Sequence, residues 1–518
     1  MREKGILLGT PSLQAVDLLV IGGGINGAGI ARDAAGRGLS VLLVERRDLA
    51  SATSSWSSKL IHGGLRYLEQ YEFRLVSEAL AEREVLLDVA THLVWPARFV
   101  MPHVPELRPR WMIRAGLFLY DHLSRRARLP GSAAVRLDLP PLNAGLKPEL
   151  KHGFIYSDCR VDDARLVVAN ALSARELGAT ILTRTDCVAA RREDGRWRAR
   201  LRGADGVESE VTARAIVNAA GPWVKEALND RLAQPSGDAV RLVKGSHVVF
   251  PRLYAGEHAF ILQNDDGRVV FMIPYEEAFT LVGTTDVPAE GDPAQAACSD
   301  EEAAYLCRAV NRYLAQPVTP AQSVWRYAGV RPLYDDGSAD PSAVTRDYTL
   351  RVDAVNAEDA AHGVAPVLSV FGGKITTYRK LAEHALEKLA PFFPGLKPAW
   401  TARTSLPGSD FAGADRDTMA GRLRAQYPAL PHDVLHGLFR RHGTRAATVL
   451  GDARTPADLG IVFGAGLSER EVAYFAAQEW ATTAEDVLWR RTKCGLHLTA
   501  AERAVVVEWF ARRSSATR

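Results

Sequence analysis

Three glycines near the start of the chain have the spacing with which a backbone holds a pyrophosphate. They are Gly22, Gly24 and Gly27, and the intervening Ile25 and Asn26 complete a Gly-x-Gly-x-x-Gly pattern. The first glycine permits a tight turn, the second lets phosphate oxygens approach the main chain, and the third allows close helix–strand packing. The pattern predicts that these residues bind the diphosphate of a dinucleotide cofactor; a purely structural turn is the alternative.

Glu45 stands where dinucleotide-binding folds place a ribose-binding carboxylate, at the end of the next predicted strand. A carboxylate there accepts hydrogen bonds from ribose hydroxyls and repels a 2′-phosphate, which excludes NADP. The glycine pattern and Glu45 together still leave NAD and FAD as possible cofactors.

Three later segments favour FAD. A hydroxyl-rich loop at residues 51–59 supplies hydroxyls and backbone amides for a second phosphate and a ribityl chain. The strand that begins at Ala215 ends in small residues, which lets the backbone pass close to a cofactor. A glycine pair before a later helix directs a positive helix end and a lysine at the flavin edge. The contacts predicted from these segments are Thr53, Ser54, Ser58, Gly221, Gly373 and Lys374.

These residues need a scaffold of alternating strands and helices. The apolar run Val16–Ile21 predicts a buried parallel strand, Ile25–Arg37 a helix and Leu39–Val44 a second strand, so the chain opens with a βαβ unit. A helix is predicted at Glu69–Asp88. Further strands are predicted at Thr180–Ala190, Arg196–Leu201 and Ala215–Ala219.

The remaining chain divides into two units that differ in the pattern of their apolar residues. Residues 240–287 alternate apolar and polar side chains, which predicts an antiparallel sheet. Past Ala399, tracts such as Asp415–Tyr427 and Ser468–Glu479 read as amphipathic helices. The predicted fold class is α/β: a Rossmann-like FAD-binding domain, an inserted antiparallel β substrate domain and an α-helical C-terminal domain. The predicted units are an N-terminal extension (1–15), a discontinuous FAD-binding domain (16–90, 155–235 and 330–395), a substrate-binding or cap region (91–154 and 236–329) and the C-terminal domain (396–518).

Composition excludes several other classes. A chain of 518 residues exceeds one compact core, and a net charge of +3 gives no reason to expect a nucleic-acid partner. The five cysteines are scattered without a CxxC pair, which argues against a disulfide framework, a zinc site or an iron–sulfur cluster, so no metal is expected. No apolar run reaches the roughly 18 residues of a spanning helix, and no secretory signal is present. We therefore expect a cytoplasmic protein whose membrane contact is peripheral.

Six motifs in a fixed order resemble one known family, the aerobic, membrane-associated FAD-dependent glycerol-3-phosphate dehydrogenases of bacteria. The likeness runs from about Asp17 to Glu387 and weakens in the C-terminal domain, where Trp489–Lys493 also looks familial. The calcium-binding loops of the mitochondrial relatives are not found. The six motifs are Ser58–Glu69, Lys244–His247, Gly283–Asp286, Gly329–Leu333, Thr345–Tyr348 and Phe371–Lys374.

The resemblance implies FAD-linked oxidation of sn-glycerol 3-phosphate to dihydroxyacetone phosphate, with electrons passed to a membrane quinone. A base must accept the hydroxyl proton, and His247 is the candidate because its intrinsic pKa is near neutral. Cations must hold the phosphate dianion, and Arg331 is the first choice because a guanidinium binds phosphate bidentately. The other candidates are Arg66 and Arg346 for the phosphate, Tyr67 and Thr285 for the hydroxyls, Lys374 for substrate or flavin, and Lys59, Leu60, His62 and Gly63 for the cofactor.

Alternatives stay open at this point. His247 could be a hydrogen-bonded structural histidine, and Arg346 a solvated or ion-paired side chain. An oxidase for the same substrate would use oxygen, and a flavin-binding regulator would lack catalysis. An amine or amino-acid oxidase is a more distant interpretation, which the phosphate-suited arginines oppose.

The segment Trp111–Tyr120 is aromatic and apolar, and Arg125, Arg126 and Arg128 follow it. That composition suits a helix on an anionic bilayer or the mouth of a quinone site, whereas the commoner interpretation is an ordinary core helix. The expected partners are sn-glycerol 3-phosphate, a membrane quinone, the inner face of the cytoplasmic membrane and a second copy of the chain in a homodimer.

Overall fold

The fold consists of two large sheets followed by a helical unit. The computed structural model describes residues 15–104, 108–234, 237, 239–335, 347–353, 364–411 and 415–516. Its strands are β1 (Ala15–Ile21), β2 (Val41–Glu45), β3 (Leu60–Ile61), β4 (Val94–Pro102), β5 (Ala133–Arg136), β6 (His152–Val161), β7 (Thr180–Thr183), β8 (Thr185–Glu193), β9 (Arg196–Gly203), β10 (Glu208–Asn218), β11 (Ala239–Pro251), β12 (Ala259–Gln263), β13 (Val269–Tyr275), β14 (Phe279–Gly283), β15 (Val287–Pro288), β16 (Trp325–Asp335), β17 (Thr349–Val352), β18 (Val367–Phe371), β19 (Val462–Gly464) and β20 (Leu467–Ser468). Its longer helices are α1 (Ile25–Gly36), α2 (Phe73–Val89), α3 (Arg110–His122), α4 (Asp163–Glu176), α5 (Asp300–Asn311), α6 (Tyr378–Leu389), α7 (Arg416–Gln426), α8 (His432–His442), α9 (Ala446–Leu450), α10 (Glu469–Gln478) and α11 (Ala500–Ala516).

The first sheet confirms the predicted βαβ unit. Its strand order is β17-β18-β10-β1-β2-β7, and β1, β2, β7, β10 and β18 run parallel to one another. Parallel strands of this kind are covered on both faces, and β1 and β2 are accordingly apolar and almost fully buried. Helix α1 packs between α4 and α6 on one face. Because the carboxyl ends of β1, β2 and β10 meet at one edge, the loops after them share a cleft.

The second sheet confirms the predicted antiparallel domain. Its order is β15-β11-β14-β13-β12-β4-β6-β3, with β16 on β11 and β5 on β6. Only the β4–β12 pair among these is parallel. Strand β6 lies wholly in this sheet, whereas the predicted domain boundary at residue 155 falls inside it. Alternation of side chains locates a strand but does not identify the strand it pairs with. The domain boundaries therefore stay a prediction.

The helices α7 to α11 form the C-terminal helical unit, and they confirm the predicted helical domain. Two hydrophobic clusters of its own fill this unit. Ser468 begins α10 by accepting a hydrogen bond from the Glu471 amide, so the predicted tract Ser468–Glu479 is a capped helix. The unit also contains the small β19–β20 hairpin.

Local backbone geometry explains where other predicted elements differ. The expected strand Thr180–Ala190 is two strands, because Arg184 adopts a left-handed conformation with φ 52°. The expected helix Glu69–Asp88 begins at Phe73, after Tyr71 turns the chain with φ 59°. Residues 1–14 of the predicted extension lie outside the described residues. Within the described part of the chain, no helix combines the length and hydropathy needed to cross a bilayer.

Candidate active site

The glycine pattern forms a tight turn between β1 and α1, as its spacing predicts. Gly22 has φ 111°, and a Cβ there would lie 2.4 Å from the Ala219 carbonyl oxygen at the end of β10. A Cβ on Gly27 would lie 1.9 Å from the Gly22 oxygen. Both positions therefore accept only glycine. Gly24 precedes the first residue of α1, where exposed N–H groups attract anions.

The β2–β3 loop, residues 46–59, closes over this turn. The Glu45 carboxylate accepts hydrogen bonds from the Gly23 amide at 2.7 Å and from the Arg47 amide at 2.8 Å. Burial raises the pKa of Glu45, and these two donors oppose the rise. Ser54 accepts a bond from the Ile25 amide at 3.0 Å. The loop and the turn are thus one hydrogen-bonded unit.

A cleft lies between this loop and the end of β10. Gly221 faces it with φ 57°, and a Cβ there would meet no described atom within 4 Å. The Asn26 Oδ1 atom is buried and has no hydrogen-bond partner among the described residues, although its Nδ2 donates to the Gly372 oxygen at 3.2 Å. The unfilled backbone positions and the unsatisfied amide oxygen fit a bound dinucleotide. Predicted contacts that line the cleft are Gly22, Gly24, Glu45, Thr53, Ser54 and Gly221.

His247 lies on β11, where the second sheet meets the loop. Its Nε2 is 2.8 Å from the Ser58 Oγ, and its ring stacks on Tyr327 at 4.8 Å between centroids. Burial, followed by the charges of Lys59 and Arg331, holds the pKa of His247 well below its usual value. The ring is therefore neutral at neutral pH, with one nitrogen able to accept a proton. Tyr327, which sequence reasoning missed, lies opposite His247 in the β11–β16 register.

Two arginines meet at one carboxylate near His247. Arg331 pairs with Asp286 and also donates to the Thr285 carbonyl at 3.3 Å, while Arg66 lies 3.9 Å from the other Asp286 oxygen. The side chains of Arg66 and Arg331 are 28% and 30% exposed, so a ligand can reach them. Asp286 was missed as a site residue, although it ends one of the motifs that carry the resemblance.

Lys374 contacts Tyr67, the residue that follows Arg66 in the chain. Its Nζ lies 3.8 Å above the centre of the Tyr67 ring. Such a contact holds an ammonium group over an aromatic face. Gly64, with φ 81°, makes room for the Tyr67 ring, which lies 2.2 Å from the Cβ that any other residue would have. The adjacent residues Arg66 and Tyr67, in the short helix Leu65–Gln70, thus connect the Asp286–Arg331 pair with Lys374.

Some predicted residues are engaged elsewhere. Lys59 donates to Asp163 at 2.8 Å and to the Ser55 oxygen at 2.7 Å, so its ammonium group supports the loop. The Thr285 hydroxyl donates to Glu302 and accepts from the Ser246 amide, and it therefore braces the turn before Asp286. Arg346 lies outside the described residues.

The loop around β3 holds the other predicted cofactor contacts. The His62 backbone bonds the Thr376 hydroxyl with both its N–H and its oxygen. The Gly63 amide donates to the Tyr120 hydroxyl at 2.8 Å. Leu60 of β3 lies opposite Arg160 of the antiparallel strand β6. These contacts fix the loop against Thr376, just after Lys374.

Comparisons with known proteins agree with this geometry. The family profile described as "FAD dependent oxidoreductase" matches residues 17–379, and that described as "C-terminal domain of alpha-glycerophosphate oxidase" matches residues 399–512. The aerobic glycerol-3-phosphate dehydrogenase of Escherichia coli K12 is 53% identical over 96% of this chain and 98% of its own length. The D-erythritol 1-phosphate dehydrogenase of Brucella abortus is 52% identical over the same shares.

A solved structure has the same fold. The glycerol-3-phosphate dehydrogenase of Bacillus halodurans, complexed with FAD, superposes with a TM-score of 0.75 at 27% identity. The match covers 98% of this chain and 92% of that one. With the dinucleotide cradle formed by its own residues, the chain is an FAD-dependent oxidoreductase, and it belongs to the family of the bacterial aerobic glycerol-3-phosphate dehydrogenases.

Proposed function

We propose that the enzyme oxidises sn-glycerol 3-phosphate to dihydroxyacetone phosphate and that its electrons pass to a membrane quinone. The observation that carries the proposal is the cation cluster of Arg66, Arg331 and Lys374 beside a buried, neutral His247. That set of groups matches a substrate with a phosphate dianion at one end and a secondary alcohol to deprotonate.

Oxidation of the secondary alcohol removes a hydride from C2 and a proton from its hydroxyl. Bound FAD would supply the two-electron acceptor for the hydride. His247 takes the proton, because its ring is unprotonated at neutral pH. The Ser58 Oγ at 2.8 Å and the stacked Tyr327 ring hold the imidazole in one orientation. The proton then passes from His247 to solvent, which restores the neutral base for the next turnover.

The arginines supply the charge that a phosphate dianion requires. Arg66 and Arg331 bind the same carboxylate of Asp286, and a phosphate would share or replace that contact. Guanidinium groups hold phosphate oxygens through paired N–H donors, which fixes the substrate's orientation as well as its charge. Lys374, placed over Tyr67, adds a third positive charge at the same end.

A second candidate substrate is D-erythritol 1-phosphate. It is favoured by the 52% identity to the Brucella abortus enzyme that carries that name. The cation cluster suits the phosphate of either polyol. Steady-state kcat/KM with both substrates and a soluble quinone separates them: we expect glycerol 3-phosphate to give the larger value. A larger value for D-erythritol 1-phosphate would reassign the substrate while leaving the reaction type unchanged.

The acceptor is proposed from the aerobic relative, and oxygen is the rival. A quinone-linked enzyme reduced by substrate is reoxidised by a soluble quinone much faster than by dissolved oxygen. Equal or faster reoxidation by oxygen, with release of hydrogen peroxide, would make the enzyme an oxidase. Rapid mixing of the reduced enzyme with each acceptor distinguishes these outcomes.

Helix α3 is the proposed membrane contact. Its buried residues Ile113, Leu117 and Tyr120 attach it to the protein, so they account for only one face. An ordinary core helix would not leave large apolar side chains in water on its other face. Exposed arginines beside them suit an anionic lipid surface. The exposed apolar side chains are Trp111 (70%), Met112 (46%), Phe118 (53%) and Leu119 (44%).

The homodimer and the location on the inner face of the cytoplasmic membrane remain predictions of the sequence. Sedimentation of the holoenzyme tests the first, and flotation with vesicles of anionic lipid tests the second.

A further inference from the structure

We propose that the C-terminal helical unit retains the flavin cofactor, because its segment Trp489–Lys493 holds the β2–β3 loop in the conformation that binds FAD. The proposal goes beyond the substrate and acceptor assigned above and depends on neither. It assigns a role to a segment that looked familial in the sequence but takes no part in the reaction.

The first contact is a buried ion pair at the start of the loop. Asp48 receives the Arg490 Nε at 2.6 Å and both terminal nitrogens of Arg491 at 2.7 Å. All three side chains are buried. Arg491 therefore binds the carboxylate bidentately, the geometry that fixes direction as well as distance. A carboxylate buried without these partners would be strongly unfavourable, so the loop and the C-terminal unit hold each other in place.

Asp48 is directly connected to the glycine turn. Two residues later, the Ala50 amide donates to the Gly23 oxygen at 3.0 Å. The Leu49 side chain is fully buried against Gly23. A Cβ added at Gly23 would lie only 2.9 Å from it. The Ser51 amide in turn donates to the backbone carbonyl oxygen of Asp48 at 3.2 Å. A shift of Asp48 would therefore move the chain that covers the turn between β1 and α1.

The second contact is an aromatic stack at the far end of the loop. The Trp489 ring stacks on Trp325 at 4.8 Å with an interplanar angle of 26°. Trp325 in turn contacts Trp56 of the loop at 5.9 Å. The Trp56 Cβ lies 2.8 Å from the position a Cβ on Gly329 would take, so the loop is pressed onto β16. Aromatic contacts of this kind bury large apolar area.

An electrostatic link lies beneath the loop and runs through Asp163 of α4. Lys493 and Lys59 both line one small cavity. Burial alone would raise the pKa of Asp163, but the positive charges of Lys59 and Lys493 outweigh burial and hold this pKa below its usual value. Asp163 also accepts a hydrogen bond from the Ser57 hydroxyl at 2.6 Å. The segment Trp489–Lys493 thus contacts the loop directly at Asp48 and reaches Trp56 through Trp325. It also acts on Asp163, which binds Lys59 and Ser57 of the loop.

These contacts couple the C-terminal unit to cofactor affinity. If FAD binds the β2–β3 loop in the conformation described here, any contact that stabilises this conformation lowers the dissociation constant of FAD. The coupling is reciprocal, and bound FAD stabilises the docked C-terminal unit by the same factor.

The test is the FAD dissociation constant of the apoprotein, measured from flavin fluorescence without substrate. We expect Asp48→Asn to bind FAD about 10- to 100-fold more weakly, since a broken buried ion pair is costly and each tenfold corresponds to about 1.4 kcal/mol. Arg490→Lys keeps a positive charge and leaves Arg491 in place, so it folds even where Asp48→Asn does not. Its FAD binding should weaken several-fold.

The control is Arg445→Gln. Arg445 pairs with Glu176 and so also joins α4 to the C-terminal unit. In the described part of the chain, its polar contacts do not involve Asp48, Arg490 or Arg491. We expect Arg445→Gln to leave the FAD dissociation constant unchanged. The proposal is overturned if Arg490→Lys binds FAD as tightly as the unsubstituted protein, or if Arg445→Gln weakens FAD binding as much as Arg490→Lys does. Because no substrate is present, neither outcome bears on the proposed reaction.

Discussion

His247 is buried, yet it retains one nitrogen without a partner in the described part of the chain. Its Nε2 contacts Ser58, whereas its Nδ1 has no hydrogen-bond partner there. A structural histidine normally satisfies both nitrogens when it is buried. The unsatisfied nitrogen therefore favours a histidine that awaits a ligand over one that only supports the fold.

The His247→Ala variant should lose rate rather than affinity. A positioned base contributes about 10²- to 10⁴-fold to a proton transfer, so kcat should fall by that range while KM changes little. The measurement is the rate of anaerobic flavin reduction by substrate. Ser58→Ala is the control, since it removes only the partner of Nε2 and should cost much less. An unchanged reduction rate in His247→Ala would place the base elsewhere.

The Arg331→Ala variant should lose affinity. A hydrogen bond to a charged group contributes about 1.5 to 3 kcal/mol, so KM for glycerol 3-phosphate should rise about 10- to 100-fold. Arg326→Ala is the matched control, because Arg326 lies on the same strand but pairs with Asp300 at the surface. If Arg331→Ala keeps the original KM, this arginine does not hold the phosphate.

Residues whose role depends only on the local backbone, such as those of the glycine turn, could be predicted from the sequence. Gly22 and Gly27 adopt the expected turn, because the pattern itself encodes the contacts of that turn. Tyr327 and Asp286 were missed, because each acts through a partner that only sheet pairing brings near. Thr285 was expected on the substrate, but the buried Glu302 engages its hydroxyl.

At the scale of elements, composition alone does not decide whether helix α3 is a core helix or a membrane contact. Its aromatic and apolar residues fit a core helix and a membrane helix equally well in sequence. In the structure, Arg126 pairs with Asp121 and Arg128 with Asp88, whereas Arg125 is exposed to solvent and forms no ion pair with the residues that the structure describes. Of the three arginines that follow the helix, Arg125 is therefore the best candidate for contact with lipid.

Substitutions on the exposed face of α3 should weaken membrane binding. Trp111→Ser and Phe118→Ser remove apolar surface that would enter the interface, so binding to anionic vesicles should fall several-fold each. Arg125→Glu should act in the same direction and more strongly at low salt. Val207→Ser is the control, because Val207 is as exposed but lies in the distant β9–β10 turn. Vesicle binding that is unaffected by all three variants would exclude α3 as the contact.

Periodicity predicted the two sheets well and their boundaries less well. Continuous apolar runs identified β1 and β2, and alternation over residues 240–287 predicted an antiparallel sheet without bounding its strands. The break at Arg184 has no signal in the sequence, because a left-handed arginine is held by its surroundings rather than by its type.

At the scale of the whole molecule, buried histidines make stability depend on pH. Burial, and then the charges of nearby arginines, hold the pKa of His92 well below its usual value. The unfolded chain, in which the pKa is about 6.5, then binds more protons than the folded state at acidic pH. His92 therefore costs stability as the pH falls below about 6.5, and this loss continues down to its folded-state pKa.

The His92→Gln variant should flatten that dependence. Each such histidine contributes a slope of up to about 1.4 kcal/mol per pH unit in this window. The difference in unfolding midpoint between the variant and the unsubstituted protein, followed in urea from pH 7.5 to pH 5, should shift in favour of the variant as the pH decreases. A difference that is the same at every pH would show that His92 does not titrate between the two states.

The most direct test of the account is anaerobic mixing of the flavin-loaded enzyme with sn-glycerol 3-phosphate while flavin absorbance is followed. We expect rapid bleaching, with colour restored by a soluble quinone much faster than by oxygen. Failure of glycerol 3-phosphate to bleach the flavin, with bleaching by an amine or an amino acid instead, would contradict the assignment of a phosphate-binding site to Arg66, Arg331 and Lys374.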